Sequence, residues 1–175
     1  MTVTAEETET AAASVPETTT KKTIIVFSGE MDKVLAAFVI ANAAAAMGDD
    51  VTMFFTFWGL NTLRREHKPR TTGKTVLQTM FGRMMPRGPE HLTLSHMNFA
   101  GAGPKLMRKA MRDAHVASLA ELMATAREQE IKFVACTMSM DVMGIKPEEL
   151  IDGVELAGAA AYLGEADEAN VNLFI

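Results

Sequence analysis

Two stretches of this chain are apolar without alternation. Residues 23–28 (Thr-Ile-Ile-Val-Phe-Ser) and 51–57 (Val-Thr-Met-Phe-Phe-Thr-Phe) are short, rich in β-branched and aromatic side chains, and uncharged. A strand covered on one face alternates, whereas a continuous run marks a strand buried on both faces, as in a parallel sheet. Residues 33–47 between them are alanine-rich and apolar nearly all round, which predicts a largely buried helix. The turn Ser28-Gly-Glu-Met-Asp-Lys33 leads into it with Asp32 as the capping side chain, and Gly48 is placed to end it. Strand, helix and strand in this order form a βαβ unit.

The pattern degrades over residues 64–104, which carry Pro69, Pro86, Pro89, Pro104 and five glycines. A short helix is predicted from Thr75 to Met84. Helical periodicity returns at Lys105, with Leu106, Met107, Ala110 and Met111 on one face. Ser118-Leu-Ala-Glu121 is a capping box opening a helix with Leu119, Leu122, Met123 and Ala126 inward. A third apolar run, Phe133 to Ala135, ends at Cys136. Pro147 with Glu148 and Glu149 reads as the first turn of another helix. Strands at 153–157 and 171–175 flank a helix at 159–168. The sum is one α/β domain over residues 22–175, with three layers and a five-stranded, mainly parallel sheet between flanking helices, flavodoxin-like or Rossmann-like in build. Residues 1–21 hold Thr, Ala and Glu with almost no large apolar side chain, and are expected to be a disordered tail.

Charge and composition narrow the function. A net charge of −5 argues against nonspecific nucleic-acid binding. No secretory signal is visible. The longest apolar stretch, 34–46, is short of the ~20 residues a bilayer span needs, so no membrane segment and a cytoplasmic location are expected. A single cysteine excludes an internal disulfide and a multi-cysteine zinc site.

That cysteine is the main candidate for chemistry. Cys136 closes a strand and precedes a turn, where the backbone N–H groups of residues 137–139 can face the sulfur and favour the thiolate. Ligands in open α/β sheets bind outside the carboxyl ends of strands. If the sheet is doubly wound, the 28–33 turn and the cysteine turn end neighbouring strands, and Asp32 and Lys33 line the same pocket. The opposing reading is a buried structural thiol. Asp141 raises the thiol pKa if its carboxylate points at the sulfur; it is expected to turn toward its own backbone instead. His67, His91, His96 and His115 form no metal-binding spacing; His91 or His96 is a candidate base for Cys136, against ordinary partly exposed histidines. Met138, Met140 and Met143, with six more methionines between residues 80 and 111, suit packing and partner contact better than Cu(I). Neither metal nor organic cofactor is expected. Residues 64–87 hold seven of the 17 basic side chains and one acid, read either as a steering patch for an anionic partner or as a solvated loop. The apolar, methionine-rich stretch 80–111 suggests a homo-oligomer.

Taken together, Ala-Cys136-Thr-Met-Ser-Met-Asp-Val-Met-Gly144, preceded by Phe-Thr-Phe-Trp58-Gly59 and Met97-Asn98-Phe-Ala-Gly101, resembles the DsrE/DsrF/DsrH-like superfamily. The likeness is greatest to its DsrE2 branch, also labelled peroxiredoxin-family or sulfurtransferase. The resemblance covers residues 22–175. It implies a parallel α/β sheet assembled as a trimer or hexamer, and sulfur relay through a persulfide on Cys136. TusA-like or rhodanese-like sulfur carriers are the implied partners. Thr137, Met138, Ser139, Asp141, Asp32, Lys33, Trp58, His96 and Asn98 are the candidates for its pocket. A peroxidase would need a resolving thiol that this chain lacks. The rival expectation is a non-enzymatic oligomeric binding module with a structural cysteine.

Overall fold

A computed structural model describes residues 20–69 and 71–175. The strands are β1 (Lys21–Val26), β2 (Asp50–Phe55), β3 (Lys132–Cys136), β4 (Val154–Ala157) and β5 (Val171–Phe174). The helices are α1 (Met31–Ala46), α2 (Val76–Met84), α3 (Ala102–Asp113), α4 (Leu119–Glu128), α5 (Thr137–Met143) and α6 (Ala159–Asp167). The five strands form one sheet in the order β4-β3-β2-β1-β5, every pair parallel. The expected α/β class is therefore observed.

Alternation along the strands divides the core into two layers. Ile24, Val26, Met53, Phe55, Phe133 and Ala135 pack against α1 and α4 through Val34, Phe38 and Met123. Phe38 meets Phe133 edge-on at 5.6 Å, and Phe55 meets Phe133 at 5.7 Å. The opposite face carries a smaller cluster, Phe54, Val134 and Cys136, packed against Ala157 of β4 and Tyr162 of α6. The Ser118–Glu121 capping box opens α4, with Leu119, Met123 and Ala126 buried as expected. Gly48 has φ 89°, and its N–H caps the carbonyl of Ala45 at the end of α1.

Several expectations are corrected. The predicted tail boundary fell too late, because Lys21 already belongs to β1 and the Thr20 carbonyl accepts the Asp50 N–H at 2.9 Å; residues 1–19 lie outside the described residues. Asp32 does not cap α1. The cap position is Glu30, and Asp32 accepts the Ser95 N–H at 2.9 Å and the Ser95 hydroxyl. Helix α1 is buried on one side only, leaving Val39 and Ile40 outward. Pro147–Glu149 forms a single 3-10 turn rather than a longer helix. The turns after β1 and β3 do not end neighbouring strands, because β2 lies between them.

Candidate functional site

Strand β3 carries Cys136 from the core to the carboxyl edge of the sheet. Its side chain points to the α6 side, beside Val134 and Phe54, and its strand partner is Ala157. Cys136 is only 2% exposed. It is also the cap position of α5 (φ −70°, ψ 113°), so the chain turns from strand to helix at the thiol. Gly144 ends α5 with φ 65°, and a Cβ there would lie 2.5 Å from the Gln78 Cβ. Gln78 of α2 also donates to the Asp141 carbonyl at 3.0 Å, so α2 rests directly on α5.

Burial pushes the Cys136 thiol up, but hydrogen bonds from the Ser139 hydroxyl and N–H, the Thr56 hydroxyl and the Met138 N–H outweigh it and hold the thiol below its ordinary value. Thr56 and Ser139 are bonded to each other at 2.7 Å, oxygen to oxygen. Thr56 is the residue sequence reasoning missed. The last register pair of β2 and β3 is Phe55–Ala135, and one further step sets Thr56 beside Cys136. The strand order supplies that neighbour. One hydroxyl proton of the Thr56–Ser139 pair is spent on the bond between them, which leaves the other hydroxyl and the Ser139 and Met138 N–H groups to face the sulfur and favour the thiolate, the nucleophilic form.

The other predicted pocket residues divide into two groups. Thr137, Met138 and Ser139 are at the cysteine, with the Thr137 hydroxyl donating to the Ala157 carbonyl at 3.5 Å. Asp141 lies on the following turn with its carboxylate exposed and without a hydrogen bond to the backbone of its own turn. Asp32, Lys33, Trp58, His96 and Asn98 lie elsewhere. Lys33 pairs with Glu30 at 3.4 Å. Asp32 and His96 line an apolar groove of about 400 Å³ with Met97, Phe99, Leu106 and Met107. Trp58 sits on the 28–33 turn, where a Cβ on Gly29 would come 2.9 Å from its carbonyl. The Asn98 carbonyl accepts the N–H groups of Gly101 and Gly103. Met140 and Met143 are core residues, while Met138 is exposed. Among the described residues no three His, Cys, Asp or Glu side chains converge as a metal site.

Four cations of the basic segment, Arg64, Arg65, Lys74 and Arg87, are paired rather than free, while Lys68 and Arg83 are exposed. Arg64 and Glu149 are both fully buried and paired at 3.2 Å. Arg87 reaches the same carboxylate at 2.8 Å, and Lys74 bonds its other oxygen. Arg64 also donates to Asn61 Oδ1 at 3.2 Å and to the Gly82 carbonyl at 3.1 Å. Burial pushes the Glu149 carboxyl up, but Lys74, Arg87 and Arg64 hold it below the usual carboxylate range. Three cations gathered on one acid tie residues 64–87 to the sheet; Arg70 lies outside the described residues.

Comparison with known proteins agrees with this architecture. Residues 18–174 match the DsrE/DsrF/DrsH-like family. The chain belongs to that family. An uncharacterized protein of Bacillus subtilis, YrkE, is 50% identical over 159 residues, covering 91% of this chain and 99% of the relative. The sulfur carrier protein DsrE2 of Allochromatium vinosum is 36% identical over 159 residues, covering 89% and 98%. The ychN protein of E. coli shares the fold with a TM-score of 0.52 at 14% identity, over 89% of this chain and 99% of that one. A protein of unknown function from Methanobacterium thermoautotrophicum, MTH1491, aligns with a TM-score of 0.50 at 11% identity, over 88% and 98%.

Proposed function

We propose that this protein carries sulfane sulfur on Cys136, as a persulfide carrier or sulfurtransferase of a cytoplasmic sulfur relay. The observation that supports it most is the place of the one thiol, at the carboxyl end of β3 and the start of α5, with the bonded Thr56 and Ser139 hydroxyls beside it. The family membership and the named sulfur-carrier relative agree with it. In the loading step the Cys136 thiolate attacks the outer sulfur of a donor persulfide. A new S–S bond forms to Cys136, the donor's S–S bond breaks, and its inner sulfur leaves with the electron pair as a thiolate. No oxidant is consumed. Attack by an acceptor thiolate on the outer sulfur of the Cys136 persulfide reverses the sequence and regenerates the thiol. TusA-like or rhodanese-like proteins are the proposed donor and acceptor, and the proposed assembly is a trimer or hexamer, which light scattering tests.

The rival reading is a binding module with a structural cysteine, and the 2% exposure of Cys136 favours it. Loading requires the cover of Ala157 and Tyr162 to yield. Incubation of the native protein with a low-molecular-weight persulfide is expected to add one sulfur, about 32 Da, at Cys136 by mass spectrometry, and Cys136→Ser to abolish the adduct. No adduct from several donors, together with iodoacetamide labelling only after denaturation, decides for the structural cysteine.

A further inference from the structure

Helix α2 is mounted inside out. Val76, Leu77, Met80, Phe81 and Met84 share one face and are all exposed, and Gly82 is the helix's one buried residue. Its inward face is polar: Gln78 bonds α5, and the Gly82 carbonyl accepts Arg64. The same inversion recurs at α3, where Leu106 and Met107 point outward beside Met97 and Phe99. Met97, Phe99 and Ala100 adopt positive φ (59°, 41° and 52°) in the turn that presents them. Both helices lie at the carboxyl end of the sheet. Helix α2 rests on α5, which starts where β3 ends, and Arg108 of α3 reaches the sulfur of Met31, the first residue of α1, at 3.4 Å.

Charge follows the same segment. Residues 64–112 contain eleven of the chain's 17 lysines and arginines and two of its 22 acids; Arg64, Lys74 and Arg87 are taken up by Glu149 and Arg65 by Asp152, and the others remain to give this segment a positive charge on a chain whose total is −5. Lys68, Arg83, Lys105, Lys109 and Arg112 of this segment are exposed, Lys109 paired with Asp113 at the end of α3 at 2.6 Å. We infer that the outward faces of α2 and α3 dock the protein peripherally on an anionic phospholipid surface. Large apolar side chains on one face with lysine and arginine beside them are the composition of a helix lying in the interfacial plane. Protein–protein interfaces deplete lysine, whereas three of the five exposed cations here are lysines. No helix among the described residues is long and apolar enough to cross a membrane, so the contact is a lying one. The acidic remainder is repelled by the same headgroups, which orients the molecule with its cysteine end toward them. The inference rests on this surface and stands whether or not Cys136 carries sulfur.

The test is co-sedimentation of the full chain with vesicles of equimolar phosphatidylglycerol and phosphatidylcholine, against phosphatidylcholine alone. Binding is expected only to the anionic vesicles, weakened about tenfold or more by 0.5 M salt and about fivefold by each of Lys105→Gln and Lys109→Gln. The double variant L77S/F81S is expected to lose binding at least tenfold while keeping its circular dichroism. Three results overturn the inference: no binding to anionic vesicles at low salt, binding that L77S/F81S leaves unchanged, or an oligomer in solution that L77S/F81S dissociates, which assigns the face to a second copy.

Discussion

The sheet with α1 and α4 and the excursion between β2 and α4 are built on opposite rules. In the first, large apolar side chains face inward: Phe38, Phe55, Met53 and Val34 are essentially unexposed, and packing holds the layers together. In the second, most large apolar side chains face outward and polar bonds hold the segment down. Glu149 gathers Lys74, Arg87 and Arg64; Asp32 holds Ser95; the Thr93 carbonyl accepts the Met31 N–H at 2.6 Å; and the Asn61 carbonyl accepts the Gly88 N–H at 2.9 Å. Leu60, Leu63, Met85, Leu92 and Leu94 are its buried apolar anchors. The hydrophobic effect therefore stabilises one region, while the other needs its ionic centre to stay attached. An outward apolar face is tolerated only because specific polar groups fix the inward one.

The largest expected effect comes from removing that centre. Glu149→Gln leaves a buried arginine without its carboxylate and is expected to cost about 3–5 kcal/mol in denaturant unfolding. Proteolysis within residues 64–87 should precede global unfolding. The pH dependence has a definite sign. The carboxyl lies below its unfolded value in the native state, so its contribution is complete above the unfolded carboxylate pKa of ~4.3 and is lost as pH falls through the lower native value. Urea midpoints measured down to pH 3 should show this loss in the wild type and not in Glu149→Gln.

Next comes a direct contrast of two phenylalanines. Phe38→Ala is expected to destabilise by about 3–5 kcal/mol, because it opens a cavity among Phe55 and Phe133. Phe81→Ala should stay within about 0.5 kcal/mol, as for an exposed site. Equal losses would erase the distinction between the regions.

At the cysteine the expected changes are smaller. Ser139→Ala and Thr56→Val each remove a hydroxyl from the pair beside the thiolate and should raise the midpoint of the alkylation–pH profile. Tyr162→Ala should speed alkylation about tenfold or less and move that midpoint down, opposite to the hydroxyl variants, because it relieves the burial that pushes the thiol up. An unchanged midpoint in both hydroxyl variants would remove the Thr56–Ser139 pair from the account.

The smallest effects concern helix caps. Ser118→Ala and Thr75→Ala each break a capping box, at about 1 kcal/mol. The first should lower the global midpoint, and the second should appear only as faster hydrogen exchange in α2.

The core elements were legible because burial on both faces leaves a local mark. Thr23–Phe27 and Val51–Phe55 are recognisable without knowing their neighbours, as is the strand that ends at Cys136. The Ser118–Glu121 box is equally local. The chemistry around the thiol was half legible: the amides and Ser139 follow Cys136 in sequence, but Thr56, just past the end of β2, lies 80 residues earlier. Its place follows from β2 and not β1 lying beside β3. Glu148 and Glu149 look alike in Pro-Glu-Glu, yet one is exposed and the other fully buried.

Periodicity, capping and the solitary thiol at a strand end are properties of short stretches, and the amino-acid order alone specified them. Which strand stands next to which, which glutamate goes inside, and whether an amphipathic helix turns its oily side in or out depend on residues scores of positions apart meeting in space. No local propensity encodes those meetings. They are settled when the desolvation of Arg64 and Glu149 is offset by their pairing and when the sheet places Thr56 against Cys136.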